Sequence, residues 1–376
     1  MSVIVKTVES RKEFKDFIRF PLTLYKDCPY YVPNLYLDEA KMLDPRRNAM
    51  DRYSLSRKFL AYKEGRVVGR VAAIINHLAN EKWDHREVRF GWIDFIDDPE
   101  VSRALIDAVT DFGKAHGMTT IAGPLGFTDF DNEGCVVEGF DEISSFVLKY
   151  NYPYYGKHFE ALGMSKLNDW LEFRFTVPDT VPEKIARAST LVAQRNNLHL
   201  RKVSKREITR GGYGRRLFDL VNRCYAPLYD FTVMPDDVAD QYIDSFLSLL
   251  DMRYLPVVED AEGNVVAMAL MMPSLARAAR KCRGYLFPLG WWYILKTLYI
   301  KPDEGLELML IAVDPAYRNR GVHAMLFDNV IRLAIENGFK WADSNAEMET
   351  NTSVQNLFNG FDRELMRRRR VFGKEI

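Results

Sequence analysis

Two stretches of the chain repeat one pattern of apolar and polar positions. Phe59–Tyr62 and Val67–Ile75 are apolar runs around the charged turn Glu64-Gly65-Arg66, which predicts a β-hairpin. Tyr254–Val258 and Val265–Met272 flank Asp260 to Asn264 in the same way. A third strand is predicted at Phe90–Ile96, ending in Asp98-Pro99, and its counterpart at Leu306–Val313, ending in Asp314-Pro315. An amphipathic helix follows each. Leu105, Val109 and Phe112 mark the apolar face of one, and Leu326, Val330 and Leu333 that of the other, at helical spacing. Gly117 and Gly338 stand where each helix would be capped. Strands Thr119–Ala122 and Trp341–Asn345 come next, then further helices. The order strand–strand–strand–helix–strand–helix is thus written twice. It predicts an α/β fold, an α+β mixed sheet, of two similar units in tandem at 1–178 and 179–376. The join falls near Pro178 to Pro182.

The copies differ in two places. Copy two carries an additional segment, Ala276–Lys296, between its hairpin and its third strand. It is also longer at the turn from third strand to helix, where it holds Tyr317-Arg318-Asn319-Arg320-Gly321. A strand ending in a basic, Gly-containing loop that opens a helix suits a diphosphate. The first helical N–H groups have no intrahelical partner and lie at the positive end of the dipole. Gly321 permits close backbone approach. At the same turn copy one has Asp97-Asp98-Pro99-Glu100, which would repel a diphosphate.

Bulk properties narrow the function. At 376 residues the chain is too long for one ordinary core, in keeping with two units. Lys plus Arg and Asp plus Glu number 52 each, so no global basic field points to nucleic acid. Cys28, Cys135, Cys224 and Cys282 are far apart and show no metal-ligand spacing, so no metal is expected. A reducing, cytoplasmic compartment is the simplest expectation. Charges run throughout Met1 to Phe14, unlike a secretory signal. The longest apolar stretch, Gly284 to Ile300, is interrupted by Pro288, Gly290 and Lys296. It falls short of the roughly 20 residues a spanning helix needs.

Val313 to Leu326, with Arg318 and Gly321 at the turn, resembles the acyl-CoA signature of GNAT acyltransferases. His323 departs from it, replacing a small residue. The whole chain resembles the bacterial tandem-GNAT group that includes bacterial ceramide synthases. That likeness rests on Ala122-Gly123-Pro124, Asp131 to Gly134, Glu138-Gly139-Phe140, Tyr150 to Tyr155, Leu286 to Trp291 and Arg367 to Arg370. The resemblance implies an acyl-CoA-dependent N-acyltransferase acting on a long-chain, sphingoid-type amine. It implies cofactor contacts from Ile311, Val313, Arg318, Asn319, Arg320, Gly321, Val322, His323 and Ala324, with Asn351 and Asn356 from the last helix. A small-molecule N-acetyltransferase, an aminoacyl-transferring tandem GNAT and a non-catalytic acyl-CoA sensor are the alternatives.

Acylating an ammonium needs a base. If the strand at Trp341 persists, alternation puts Asp343, Asn345, Glu347 and Glu349 on one face. Glu349, with Asn351, best matches the family's Glu-x-Asn pattern and is the first candidate base. Glu347 is the second and His323 the third. Asp129, Asn132 and Glu133 lie in a Gly-flanked loop suited to substrate binding. Tyr150, Asn151 and Tyr154 could line an amine pocket or simply pack. Arg277, Arg280, Lys281 and Arg283 lead into an aromatic-rich stretch containing Trp291 and Trp292. Such a stretch suits a membrane interface and peripheral attachment. It would equally suit a helix buried between the units, or an acyl tunnel wall. Arg367 to Arg370 reads as a solvated face, with half the side chains on either side of a final strand.

Overall fold

The computed structural model describes residues 2–247 and 250–376. The first half supplies β1 (Ile4–Thr7), β2 (Ser54–Lys63), β3 (Arg66–Asn76), β4 (Glu87–Phe95), β5 (Thr120–Gly123), β6 (Cys135–Glu138) and β7 (Ser165–Thr176). The second supplies β8 (His199–Arg201), β9 (Val257–Glu259), β10 (Val265–Pro273), β11 (Gly305–Val313), β12 (Trp341–Ser344), β13 (Glu347–Met348) and β14 (Arg363–Glu375). The predicted hairpins are β2–β3 and β9–β10. Tyr254 falls in a 3-10 turn just before the second hairpin, not in its strand. The predicted helices are Pro99–Ala115 and His323–Glu336. Each is followed by its glycine at positive φ, 77° at Gly117 and 73° at Gly338.

One mixed sheet runs β1-β2-β3-β4-β5-β14-β7-β12-β11-β10-β9-β8. The order places β14, from the end of the chain, between β5 and β7 of the first half. In return β7 pairs with β12 of the second half. Each half therefore completes the other's sheet. In each copy the third and fourth strands are parallel, β4 with β5 and β11 with β12. The intervening antiparallel pairings make β4 and β11 run in opposite directions. The first-strand end of one copy's parallel pair thus lies on the same side of the sheet as the loop end of the other's.

Apolar residues from the two predicted helices close separate cores. Leu105, Val109 and Phe112 pack with Phe90, Phe95 and Ile121, and Phe327, Ile331 and Leu333 with Phe175 and Leu306. The segment Ala276–Lys296 forms two short helices, Ala276–Cys282 and Gly290–Tyr299. Copy one fills the same interval with the His77–Trp83 helix alone.

The arginine run departs from its expected solvation. Arg369 is 0% and Arg367 2% exposed, and both bond the buried Glu172. Arg368 and Arg370 lie on the other face with Asp169. Alternation across β14 holds: the face with Arg367 and Arg369 is buried, and the face with Arg368 and Arg370 is partly exposed.

Candidate active site

The loop after β11 combines exposed cations with backbone N–H groups at a helix start. Asp314 caps a short 3-10 turn, Pro315–Tyr317, by accepting from Ala316 N at 2.9 Å. The chain then turns through Asn319 at φ 62° and Gly321 at φ 77° into the His323–Glu336 helix. Gly321, Val322 and His323 donate no backbone hydrogen bond to any described residue. Arg318, Asn319 and Arg320 are exposed. A Cβ on Gly321 would stand 3.2 Å from Val192 Cγ2, so only glycine keeps both the φ and the space. Arg318 Nη2 donates to Cys224 O at 3.2 Å, which aligns the guanidinium with the end of the Tyr213–Tyr225 helix.

Copy one answers differently at the same turn. Asp98 caps the Pro99–Ala115 helix and pairs with Lys63 at 2.6 Å, and Asp97 meets His158 Nε2 at 2.8 Å. Carboxylates fill the position that cations occupy in copy two.

Below the loop, β11 and β12 separate. They pair only from Gly305↔Trp341 to Leu308↔Ser344. Met309 is bulged out of register with β10. Beyond the bulge, Ile311 O accepts from Tyr225 OH at 3.0 Å and Val313 O from Cys224 Sγ at 3.2 Å. The strand expected to carry Asp343 to Glu349 does not persist. Asn345 breaks it by donating through N to Leu308 O (2.8 Å) and through Nδ2 to Met309 O (3.1 Å). The chain then re-pairs with β7 through Glu347↔Leu171 and Met348↔Trp170.

That break separates the four polar side chains. Asp343 is tied to Arg174 by two bonds of 2.8 and 2.9 Å. Glu349, the first candidate base, is clamped between Lys166 and Arg368, both of which pair with it. Glu347 is different. Its Oε2 is buried with no hydrogen-bond partner among the described residues, and burial pushes its carboxyl up to about 7. Tyr225, on β11's side of the gap, senses the Glu347 charge. His323 packs edge-on against Phe327, and burial lowers its pKa below the ordinary histidine value. Asn351 caps the Thr352–Leu357 helix by accepting from Val354 N, and Asn356 is exposed and bonded to Asn359.

The acceptor-side residues divide. Asn132 Oδ1 is used by Lys149 N at 2.7 Å, and Asn151 brackets Val136 through both its amide atoms. Tyr154 OH bonds Phe95 O, and Tyr150 OH bonds Phe140 O at 3.2 Å. Tyr150 and Asn151 border a cavity of about 30 Å³ between β4 and the Pro124–Gly134 loop. These four side chains brace copy one. Asp129 and Glu133 instead face the second half, at the loop that follows the Tyr213–Tyr225 helix. There Asp129 accepts from Thr232 N at 3.2 Å. Sequence reading missed their neighbours Glu87, Arg89 and Asp230. No local pattern marks these residues, because three remote segments bring them together.

The Gly290–Tyr299 helix is not buried between the units. Ile294 and Leu298 face inward, while Trp291 (43%), Trp292 (44%), Leu295 (38%) and Tyr299 (43%) form an exposed stripe. Phe287 (74%) and Leu289 (60%) extend it, and Lys281, Arg283, Lys296 and Lys301 are exposed around it. Among the described residues no helix is long and apolar enough to cross a membrane.

Residues 214–361 match the acetyltransferase (GNAT) family. "Protein YghO" of Escherichia coli K12 is 27% identical over 99% of this chain and 95% of its own length. "Bacterial ceramide synthase" of Caulobacter vibrioides is 25% identical over 83% of this chain and 80% of its own length. Among solved structures, a tandem GNAT protein from the clavulanic acid biosynthesis pathway superposes with a TM-score of 0.57 at 13% identity. It covers 100% of this chain and 98% of its own. That neighbour carries the tandem GNAT fold across the whole chain.

Proposed function

We propose, for a chain that carries a GNAT-family acyltransferase domain over residues 214–361 within a tandem GNAT fold, that it moves an acyl group from acyl-CoA to a long-chain amine at a membrane surface. Residues 179–376 hold the acyl donor, and residues 1–178 supply the acceptor side.

The observation that carries this reading is the gap between β11 and β13. It opens under the basic loop Arg318 to Gly321 and is bordered by Glu347, whose Oε2 is buried without a hydrogen-bond partner among the described residues. The loop N–H groups and Arg318 suit the diphosphate of CoA. Within a strand a residue's N–H and C=O share one edge, so Ile311 and Val313 are placed to pair with the pantetheine arm. Glu347 takes one proton from the ammonium, leaving a neutral amine. Its nitrogen bonds to the thioester carbon as the C–S bond breaks. A second amine proton leaves with sulfur as the CoA thiol. A carboxyl held near 7 is half ionised at neutral pH, which suits a general base.

The lipid side of the reading rests on the exposed Trp/Tyr stripe. An amphipathic helix with aromatic residues and flanking cations lies stably in the headgroup region. The likeness to a ceramide synthase supports the same class of acceptor. Changing Trp291 and Trp292 to Ser should weaken binding to vesicles containing anionic lipid, and lower transfer to a long-chain amine, while acyl-CoA affinity stays unchanged. Salt should weaken attachment only in part, since screening reaches the cations and not the apolar stripe. Wild-type protein that ignores vesicles at low salt and acylates only short soluble amines would put a small-molecule acetyltransferase in place of this reading.

A further inference from the structure

Glu87 and Arg89 lie on β4, Asp129 and Glu133 on the loop after β5, and Asp230 on the loop after the Tyr213–Tyr225 helix. They meet where the two halves touch. Four carboxylates surround one guanidinium. Arg89 stands 2.7 Å from Asp230 and 3.7 Å from Glu87. The nearest other cation, Lys82, uses its ammonium on the carbonyls of Ala226 and Phe231, each at 2.7 Å. Glu133 has no hydrogen bond or ion pair with any described residue, and Asp129 accepts only from Thr232 N among them.

Two further atoms mark the junction as built for something it does not itself contain. Thr232 is 6% exposed, and its Oγ1 is buried with no partner. Arg89 is 4% exposed, and its Nη2 lies off the hydrogen-bonding direction of Asp230 despite their closeness. The single cation inside therefore satisfies its carboxylates poorly. A buried excess of like charge is costly unless a counter-charge or protons relieve it. Glu87 and Asp129 are accordingly held up to about 7, by burial first and by Asp230 second.

The junction adjoins the proposed reaction gap. Ala346 and Met348, on either side of Glu347, pack in one cluster with Leu125, and the next residue, Gly126, takes Arg89 Nη1 on its carbonyl at 3.3 Å. From the other side, the Tyr225 ring lies tilted against Phe231, which follows Asp230, with centroids 5.7 Å apart. Asp129 and Glu133 retain partial exposure, whereas Arg89, Asp230 and Thr232 are buried.

We infer that this inter-copy junction holds the ammonium head group of the acceptor, with Asp129, Glu133 and Asp230 as charge partners and Thr232 Oγ1 as a further acceptor. The inference rests on the reading of the chain as an amine acyltransferase. It gives copy one, which has no basic loop at the matching turn, a role: it furnishes half of the head-group site for copy two. It also assigns specificity, since a neutral alcohol of equal length would leave the carboxylates without a counter-charge.

The test uses the full chain, with decylamine and decanol as probes. Glu133→Gln keeps shape and removes the carboxyl that an ammonium would pair with, without breaking a bond of the fold. Thr232→Val removes an oxygen that already lacks a partner. Calorimetry of decylamine alone should show binding to wild type about tenfold or more tighter than to Glu133→Gln, as expected when a charge-assisted hydrogen bond is lost. Thr232→Val should weaken it severalfold. Decanol should bind weakly and alike to all three, and acyl-CoA affinity should be unchanged in both variants. Equal decylamine affinity in all three proteins overturns the inference, as does a parallel loss of acyl-CoA affinity. Variant-sensitive decylamine binding without any acyl transfer keeps the head-group site and sinks the transferase reading. Transfer to decylamine with variant-insensitive binding does the reverse.

Discussion

Glu347 and Glu349 are two residues apart in sequence and have opposite fates in the fold. Alternation along one strand predicts that they share a face. The turn at Asn345 then sends the chain back to β7, where Lys166 and Arg368 pair with Glu349, while Glu347 forms no ion pair with a described residue and keeps a buried, unpartnered Oε2. The candidates were legible as a pair. The choice between them was not, because their partners come from a strand of the first half and from the last strand. Glu347→Gln should lower kcat by roughly 10²–10⁴ with little change in acyl-CoA affinity, the range for removal of a general base. In wild type the rate should rise with pH through about 7 as the carboxyl ionises, and that limb should be missing from the variant. Glu133 gives a second expectation, on stability. Burial and the charges of Asp129 and Asp230 raise its pKa well above the usual carboxylate value. The folded protein therefore holds a proton that the unfolded chain has released above about 4.5. That contribution is full below the unfolded pKa and is lost as pH rises. Glu133→Gln should thus gain in Tm over wild type between pH 5 and pH 8, by on the order of 2 °C, read from paired thermal melts.

Elements governed by local chemistry were the most legible. The loop Arg318 to Gly321 combines a positive-φ glycine with exposed cations at a helix start, all within a few residues. Gly321→Val should cost tenfold or more in CoA affinity by calorimetry. The β-branched side chain is strained at φ 77° and crowds Val192. Unchanged affinity would place the donor elsewhere. The segment Ala276–Lys296 was legible as an insertion, but its exposure was not. A stripe of Trp291, Leu295 and Tyr299 reads the same whether it meets a neighbouring unit or solvent. Arg367 to Arg370 erred in the opposite direction. Four consecutive arginines look solvated, and only a central strand position with Glu172 and Asp169 as counter-charges buries two of them.

At the scale of the whole molecule, the internal repeat gave the two-fold architecture but not the exchange of terminal strands. Nothing in the composition of Arg363–Glu375 says that it returns to the first half, because a strand's partner is chosen by packing far along the chain. The exchange predicts that residues 1–178 alone leave β5 without its β14 neighbour and fold poorly. Appending residues 363–376 should restore a cooperative melt followed by circular dichroism. A fully cooperative 1–178 fragment would contradict the interdependence. On the proposed reading, donor and acceptor sides come from different halves, so catalysis would be a property of the pair. The most direct measurement supplies the intact protein with long-chain acyl-CoA and a long-chain primary amine on vesicles, and follows free CoA thiol and lipid mass together. One amide should form for each CoA released, with both signals falling together in Glu347→Gln. CoA release without amide, or amide formed only from short soluble amines, would contradict it.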